Sequence, residues 1–266
     1  SDLRNHAVGH LFAGLVQNLD PEEFETFVYS TSPEDGSEVR KTISEASGDF
    51  RELFSQPLAQ RARMIHDDDL DLLVDLGGFS MGNNAELLAL RPARRQAQFL
   101  GYASSMGKGV IDCLIADNYV LPESSRNLYS EEVVCMDGPC LPPGEFTNFA
   151  KRSARKAVGL PAKGIVFCAF HAAYKIDPQV FDAWMSILKS VPDSILWLKF
   201  KPAEAAMKNL RAEAVRRGIP SRRLIMADDL DSRSDHLSRM AAADLFLDCP
   251  SYNGHASSMD ALHAKL

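Results

Sequence analysis

No run of about 18 apolar residues, the length a membrane helix needs, occurs in this 266-residue chain. The N-terminal SDLRNHAVGHL has no basic stretch followed by an apolar one, so it is not a secretory signal. No GxxxxGK[ST] and no GxGxxG appears; GGFSMG (77–82) is neither. That leaves a P-loop NTPase or a dinucleotide oxidoreductase without support. Cysteine is sparse: Cys113, Cys135, Cys140, Cys168 and Cys249, an odd number with no CxxC pair. This excludes a disulfide framework and fits reduced thiols in a cytoplasmic protein. Positive charge is also short, 29 Lys and Arg against 36 Asp and Glu, for a net charge of −7. A nucleic-acid binder is normally basic, so neither a nucleic acid nor a membrane is an expected partner.

What is there is an alternation of short apolar runs and longer amphipathic ones. FETFVYS (24–30), LDLLVDL (70–76), DCLIAD (112–117), GIVFCAF (164–170), SILWLKF (194–200), RLIMA (223–227) and ADLFLD (243–248) read as strands. Several are almost wholly apolar, as strands covered on both faces of a parallel sheet must be. Between them, 57–67 places Leu58, Ala62 and Ile65 on one helical stripe. Likewise 178–189 repeats Val180, Phe181, Trp184 and Leu188 at helical spacing. Such alternation predicts doubly wound α/β architecture.

Between 136 and 163 the composition changes, to the Pro- and Gly-rich MDGPCLPPGEF and then the basic KRSARKAVGLPAK. We read this as a linker, giving halves at 1–150 and 151–266. The chain enters a helix with no preceding strand and stops inside another, so both halves are expected to be truncated at the chain ends.

Two segments have the chemistry of an anion site. SYNGHASSMDAL (251–262) follows a strand and enters a helix through a Gly-containing turn, with Ser257 at the helix start. Backbone N–H groups there suit a phosphate, and Asp260 suits ribose hydroxyls. The same residues also describe an ordinary capped helix. FHAAYKIDP (170–178) likewise joins a strand to a helix and puts Lys175 at a strand's C-terminal end, where open α/β sheets bind ligands. Lys175 is either a diphosphate contact or a surface lysine.

Asp67, Asp68, Asp69 and Asp71, beside His66, fit a DxD pattern, but they fall where a polar turn is needed, and we assign no metal to them. His6 and His10 are four apart on a helix, yet nothing completes a zinc set. Arg91, Arg94, Arg95 and the run 216–223 have no interleaved aromatics and read as solvated faces.

Taken together, SDLRNHAVGHL, MIHDDDLDLLVDLGGFSMG, LALRPARRQAQFLGY, FCAFHAAYKIDP, VPDSILWLK and ADLFLDCPSYNGHASSMDAL, in this order, resemble the catalytic region of the bacterial protein O-GlcNAc transferase family. The resemblance implies a GT-B fold of two Rossmann-like halves, the donor being bound mainly by the second. It implies inverting transfer of N-acetylglucosamine from UDP-GlcNAc to Ser or Thr of a protein acceptor, with no metal or other cofactor. It further implies tetratricopeptide (TPR) repeats upstream. By resemblance Lys175 contacts the donor diphosphate, His236 packs on the uracil and Asp260 holds the ribose. His255 and Ser257 belong to the phosphate turn. His6 and His66 match two active-site histidines, either of which would take the acceptor proton. The sequence departs from the family in Ala172 for a Gln, Ala256 for a Thr, and Arg233 for a lysine near the uridine. Two other readings stay open: a related transferase with another donor such as GDP-fucose, or a sugar-nucleotide-binding module without activity.

Overall fold

The computed structural model describes residues 2–144, 151–201, 203–230 and 232–266. The chain forms two compact units, Ser1–Glu145 and Phe146–Leu266. The first contains α1 (Ala7–Val16), β1 (Phe27–Ser30), α2 (Glu38–Ala46), β2 (Asp49–Glu52), α3 (Leu58–Asp67), β3 (Leu73–Asp75), α4 (Ala85–Ala89), β4 (Gln96–Gln98), β5 (Cys113–Asp117) and β6 (Glu132–Met136). The second contains β7 (Val166–Ala169), α5 (Pro178–Ser190), β8 (Ile195–Leu198), α6 (Ala203–Arg216), β9 (Leu224–Met226), α7 (Arg233–Met240), β10 (Leu245–Phe246) and α8 (Ala256–His263). All the strand pairings are parallel. The fold is therefore α/β, with α-helices in most of the crossovers between parallel neighbours.

In the second unit the sheet order is β10-β7-β8-β9. Its central strands are buried at every position, and successive side chains go to opposite faces. Phe167, Ala169, Leu196 and Leu198 pack with Val180, Phe181, Trp184 and Leu188 of α5. Val166, Cys168, Ile195 and Trp197 pack on the other face with Met240 of α7 and Ala261 of α8. The apolar runs at 164–170 and 194–200 have this two-sided burial as their cause. The start of α5 is set by Pro178 at its first turn and by Asp177, whose carboxylate accepts from Val180 N at 2.8 Å.

In the first unit, β1 and β2 pair by themselves, and the larger sheet runs β3-β4-β5-β6. Three of the strands were not expected. β2 reads DFRE and β6 reads EVVCM, whose alternately exposed pattern is that of an edge strand. β4 reads QAQ and is fully buried. Its polar side chains do backbone work. Gln96 Nε2 donates to the Leu88 and Val110 carbonyls (2.9 and 2.6 Å), and Gln98 Nε2 to those of Tyr102 and Ser104 (2.6 and 2.9 Å).

Other expectations need correcting. On α3, Ile65 is buried beside Leu53 and Leu87, but Leu58 remains exposed. The basic segment after the composition change is not free spacer. Ser153 N donates to the Ser238 carbonyl, and Arg155 reaches the carbonyls of Ala242 and Gly164 and the Asp244 carboxylate. Arg223 is no solvated residue either: it donates to the carbonyls of Leu188, Val191 and Ser194, closing the C-terminal end of α5.

Gln96→Leu should keep volume but take one donor from each of the Leu88 and Val110 carbonyls, whose other donor is Arg91. We expect a loss of about 1–3 kcal/mol in urea unfolding. A loss below about 1 kcal/mol would contradict the role given to this amide.

Candidate functional site

The sheet of the second unit changes direction once. From β7 the chain adds β8 and β9 on one side, then returns to place β10 on the other. The C-terminal ends of β7 and β10 are thus neighbours at a topological switch point, the place where open α/β sheets hold ligands. FHAAYKIDP leaves from one and SYNGHASSMDAL from the other.

Asp248 shapes the second of these loops. Its Oδ1 accepts from the backbone N–H groups of Cys249 and Gly254 (2.7 and 2.8 Å), and its Oδ2 from the Ser258 hydroxyl at 3.2 Å. The turn is so tight that a Cβ on Gly254 would lie 2.3 Å from Ser258 Oγ and 3.0 Å from His171 Cε1. His255, next in sequence, is forced to φ +38°, and no side chain caps α8. The Ser257 hydroxyl donates to the Gly254 carbonyl at 2.7 Å. His171 ties the two loops together. Its Nε2 is 3.0 Å from the Leu247 carbonyl, which can only accept, so Nε2 carries the proton. Its Nδ1 is 3.3 Å from Ser257 Oγ. Burial lowers the His171 pKa against the opposing pull of that carbonyl, and the ring sits neutral under the turn.

Lys175 crosses from the β7 loop to the β10 loop. Its ammonium donates to the Asn253 carbonyl at 2.8 Å and lies 4.2 Å from the centre of the Tyr252 ring. Burial lowers its pKa, partly offset by Cys249 and Asp248. The helix N-terminus, Ser257 and this cation together favour an anion.

One turn further along α8, on the same side as Ser257, is Asp260. Arg233 Nη2 donates to its Oδ1 at 2.5 Å, and His236 Nε2 is 3.9 Å from its Oδ2. Burial raises the Asp260 pKa and Arg233 opposes the rise. Arg239 Nη2 donates to His236 Nδ1 at 3.0 Å, since a guanidinium cannot accept. The His236 ring lies 5.6 Å from that of Phe170. Burial first, then the charges of Arg239, Lys199 and Arg233, push its pKa down to about 4, so it is neutral at pH 7. A flat, uncharged ring beside a carboxylate suits a base and ribose.

The fold thus joins Lys175, His255 and Ser257 at one end of α8 and Arg233, His236 and Asp260 one turn along. His6 and His66 are placed in the first unit. His6 is exposed at the N-cap of α1, its Nδ1 accepting from Val8 N at 3.3 Å and 3.8 Å from Asp2. His66 is exposed in the last turn of α3. Among the described residues no hydrogen bond joins these two histidines. The aspartate run has structural partners: Asp68 accepts from the Tyr29 hydroxyl at 2.5 Å and pairs with Arg51, and Asp69 pairs with Arg94. Among the described residues no three His, Cys, Asp or Glu side chains come together as a metal set. Nor is any described helix long and apolar enough to cross a membrane.

Four residues here escaped the reading of the sequence. Asp248 and His171 carry no motif spacing; only their place one or two residues beyond a strand marked them. Arg239 stands three residues after His236 on one helix face, which was a usable signal. Tyr252 looked like part of a turn.

Two adjacent loops at the switch point, with a cation and a helix N-terminus between them, have the chemistry of an anion site on an α/β unit. Comparison with known proteins narrows this. The model of Glycosyl transferase family 41 matches residues 1–141 and 143–266, and the chain belongs to that family. It is 32% identical over 99% of its length to an Arabidopsis thaliana protein named probable UDP-N-acetylglucosamine–peptide N-acetylglucosaminyltransferase SEC, covering 27% of that protein. It is 25% identical over 98% of its length to the Caenorhabditis elegans UDP-N-acetylglucosamine–peptide N-acetylglucosaminyltransferase, covering 32% of it. A solved mutant of the Thermobaculum terrenum O-GlcNAc transferase superposes with a TM-score of 0.89 at 26% identity, over 98% of this chain and 49% of that one. The chain therefore spans less than a third of these two curated relatives.

The lowered pKa of His236 has a stability consequence. In the unfolded chain this ring takes a proton near 6.5; in the folded one it resists until about pH 4. Its contribution is complete above 6.5 and is lost as pH falls through that window. Between pH 7.5 and 4, wild type should lose about 2–3 kcal/mol more unfolding free energy than His236→Phe. Parallel pH profiles would contradict the assignment.

Proposed function

We propose that this chain is the greater part of the catalytic region of an inverting glycosyltransferase that moves N-acetylglucosamine from UDP-GlcNAc to Ser or Thr hydroxyls of a protein acceptor. The observation that carries the reading is the pair of adjacent loops at the switch point, with Lys175 spanning them. Support comes also from family membership and from the names of the relatives. In this reading uracil packs on His236, Asp260 and Arg233 face the ribose, and the diphosphate lies between Lys175, His255, Ser257 and the α8 N-terminus. The acceptor oxygen attacks the anomeric carbon as its bond to the β-phosphate breaks, and the electron pair leaves with UDP. Lys175 and the helix end offset the charge growing there, the work a metal would otherwise do. The acceptor proton passes to His6 or His66, directly or through water. TPR repeats upstream would select the acceptor. Retention of His236 and the YNGH turn favours the UDP donor over GDP-fucose.

Charge on the leaving phosphate rises toward the transition state, so Lys175 should matter more to kcat than to binding. Lys175→Met in the whole protein is expected to lower kcat about 10²–10³-fold, with a much smaller fall in UDP affinity. Near-normal kcat in the folded variant would refute the role. A loss confined to affinity would make Lys175 a binding residue only.

Turnover should also survive EDTA. Loss of most activity, restored by Mn²⁺, would return attention to Asp67, Asp68, Asp69 and Asp71.

A further inference from the structure

His6 and His66 stand at opposite ends of strand β4. His66 closes α3, and Asp69, just beyond it, pairs with Arg94 shortly before β4 begins. His6 opens α1, and Val8 in the first turn of that helix packs at the other end: a Cβ on Gly101, just past β4, would lie 3.1 Å from Val8 Cγ2. Open α/β sheets hold ligands at the C-terminal ends of their strands, which is the end that carries His6. The segment before His6 is folded back on α1 and fixed there. Leu3 is buried and its carbonyl accepts from Arg40 Nη1 at 3.0 Å. A Cβ on Gly9 would lie 2.3 Å from the Arg4 carbonyl oxygen and 2.9 Å from that of Asp2. This fold-back sets the Asp2 carboxylate, 11% exposed, 3.8 Å from His6 Nδ1. Among the described residues that carboxylate has no hydrogen bond and no other ion pair. The first turn of α1 has no acidic residue of its own, and Asp75, the other carboxylate that Asp2 senses, is bonded to Gly77 N and Gly78 N.

Nδ1 of His6 thus has two neighbours with opposite demands. Val8 N–H, at 3.3 Å, needs Nδ1 bare, which puts the proton of the neutral ring on Nε2. The Asp2 carboxylate can only accept, so it needs the proton on Nδ1. Only this second form has a lone pair on Nε2, the nitrogen that the helix does not engage. Resting on the transfer proposed above, we propose that Asp2 is a positioning residue that holds a proton on His6 Nδ1, so that Nε2 takes the proton of the acceptor hydroxyl. The acceptor oxygen bonds to the anomeric carbon, and UDP leaves with the electron pair of the broken bond. The ring becomes an imidazolium, with one proton toward Asp2 and the other from the acceptor. A cation at a helix N-terminus is unfavourable, and the carboxylate offsets it.

The test is steady-state kinetics of the whole protein as wild type, Asp2→Asn, Asp2→Glu, His6→Ala and the double variant Asp2→Asn with His6→Ala. UDP titration and circular dichroism accompany each. Asp2→Asn should lower kcat about 10²-fold, the low end of what a positioned base contributes. It should change KM for UDP-GlcNAc and UDP affinity less than about threefold, since it touches neither. Asp2→Glu, which keeps the carboxylate, should recover much of the loss. The double variant should have the kcat of His6→Ala alone, because Asp2 acts only through His6. Losses that multiply in the double variant would show that Asp2 serves only the fold of the segment, and would overturn the proposal. So would a normal kcat in Asp2→Asn, or UDP affinity falling as far as kcat. If His6→Ala keeps the wild-type kcat, the positioning role is wrong and the donor site stands. If wild type transfers nothing from UDP-GlcNAc to any peptide, the transfer reading itself is wrong and this inference falls with it.

Discussion

Asp248 closes the turn between β10 and α8 with three hydrogen bonds, two from backbone N–H groups and one from Ser258. The arrangement of the site depends on that closure. It brings Gly254 against Ser258 and His171, so closely that a Cβ would lie 2.3 Å from Ser258 Oγ and 3.0 Å from His171 Cε1. It bends His255 into the left-handed region and starts α8 with its N-terminus facing the β7 loop. It also leaves the Asn253 carbonyl where Lys175 can reach it from the neighbouring loop. Adjacent β7 and β10 make the two loops neighbours; the carboxylate makes them one surface.

Electrostatics divides that surface in two. At the start of α8 the balance is positive, from Lys175 and the helix end, with His171 neutral beneath. One turn along, Asp260 is partly neutralised by Arg233, and His236 is kept uncharged by burial and by the cations around it. One end thus suits a doubly charged phosphate group and the other a neutral base and its sugar hydroxyls. The spacing between them is a single helical turn, Ser257 to Asp260, about 5 Å along the axis.

The parts of this picture visible in the sequence are those where one physical demand acts on consecutive residues. Burial on both faces of β7 and β8 writes unbroken apolar runs, and a strand, a glycine turn and a serine at a helix start announce the loop after β10. What stayed hidden depends on partners distant in sequence. Gln96 and Gln98 look like loop residues because the carbonyls they satisfy belong to other segments. DFRE, on a strand paired to one neighbour, carries too many charged residues to read as sheet, whereas EVVCM, apolar after Glu132, was a usable strand signal that went unread. Arg223 looks solvated until the end of α5 is placed over it. His171 is a lone histidine between two alanine-rich stretches, and only strand adjacency brings it to Leu247 and Ser257.

The proposed site of the β7 and β10 loops is one for uridine diphosphate. The most direct check is the thermal midpoint of the protein with UDP, GDP or NAD added at equal concentration, in EDTA. A ligand at 100 times its dissociation constant adds about 2.7 kcal/mol to the stability of the state that binds it. UDP should raise the midpoint by several degrees while GDP and NAD leave it near the ligand-free value. A midpoint that UDP does not move, or that GDP or NAD raises more than UDP does, would contradict the account.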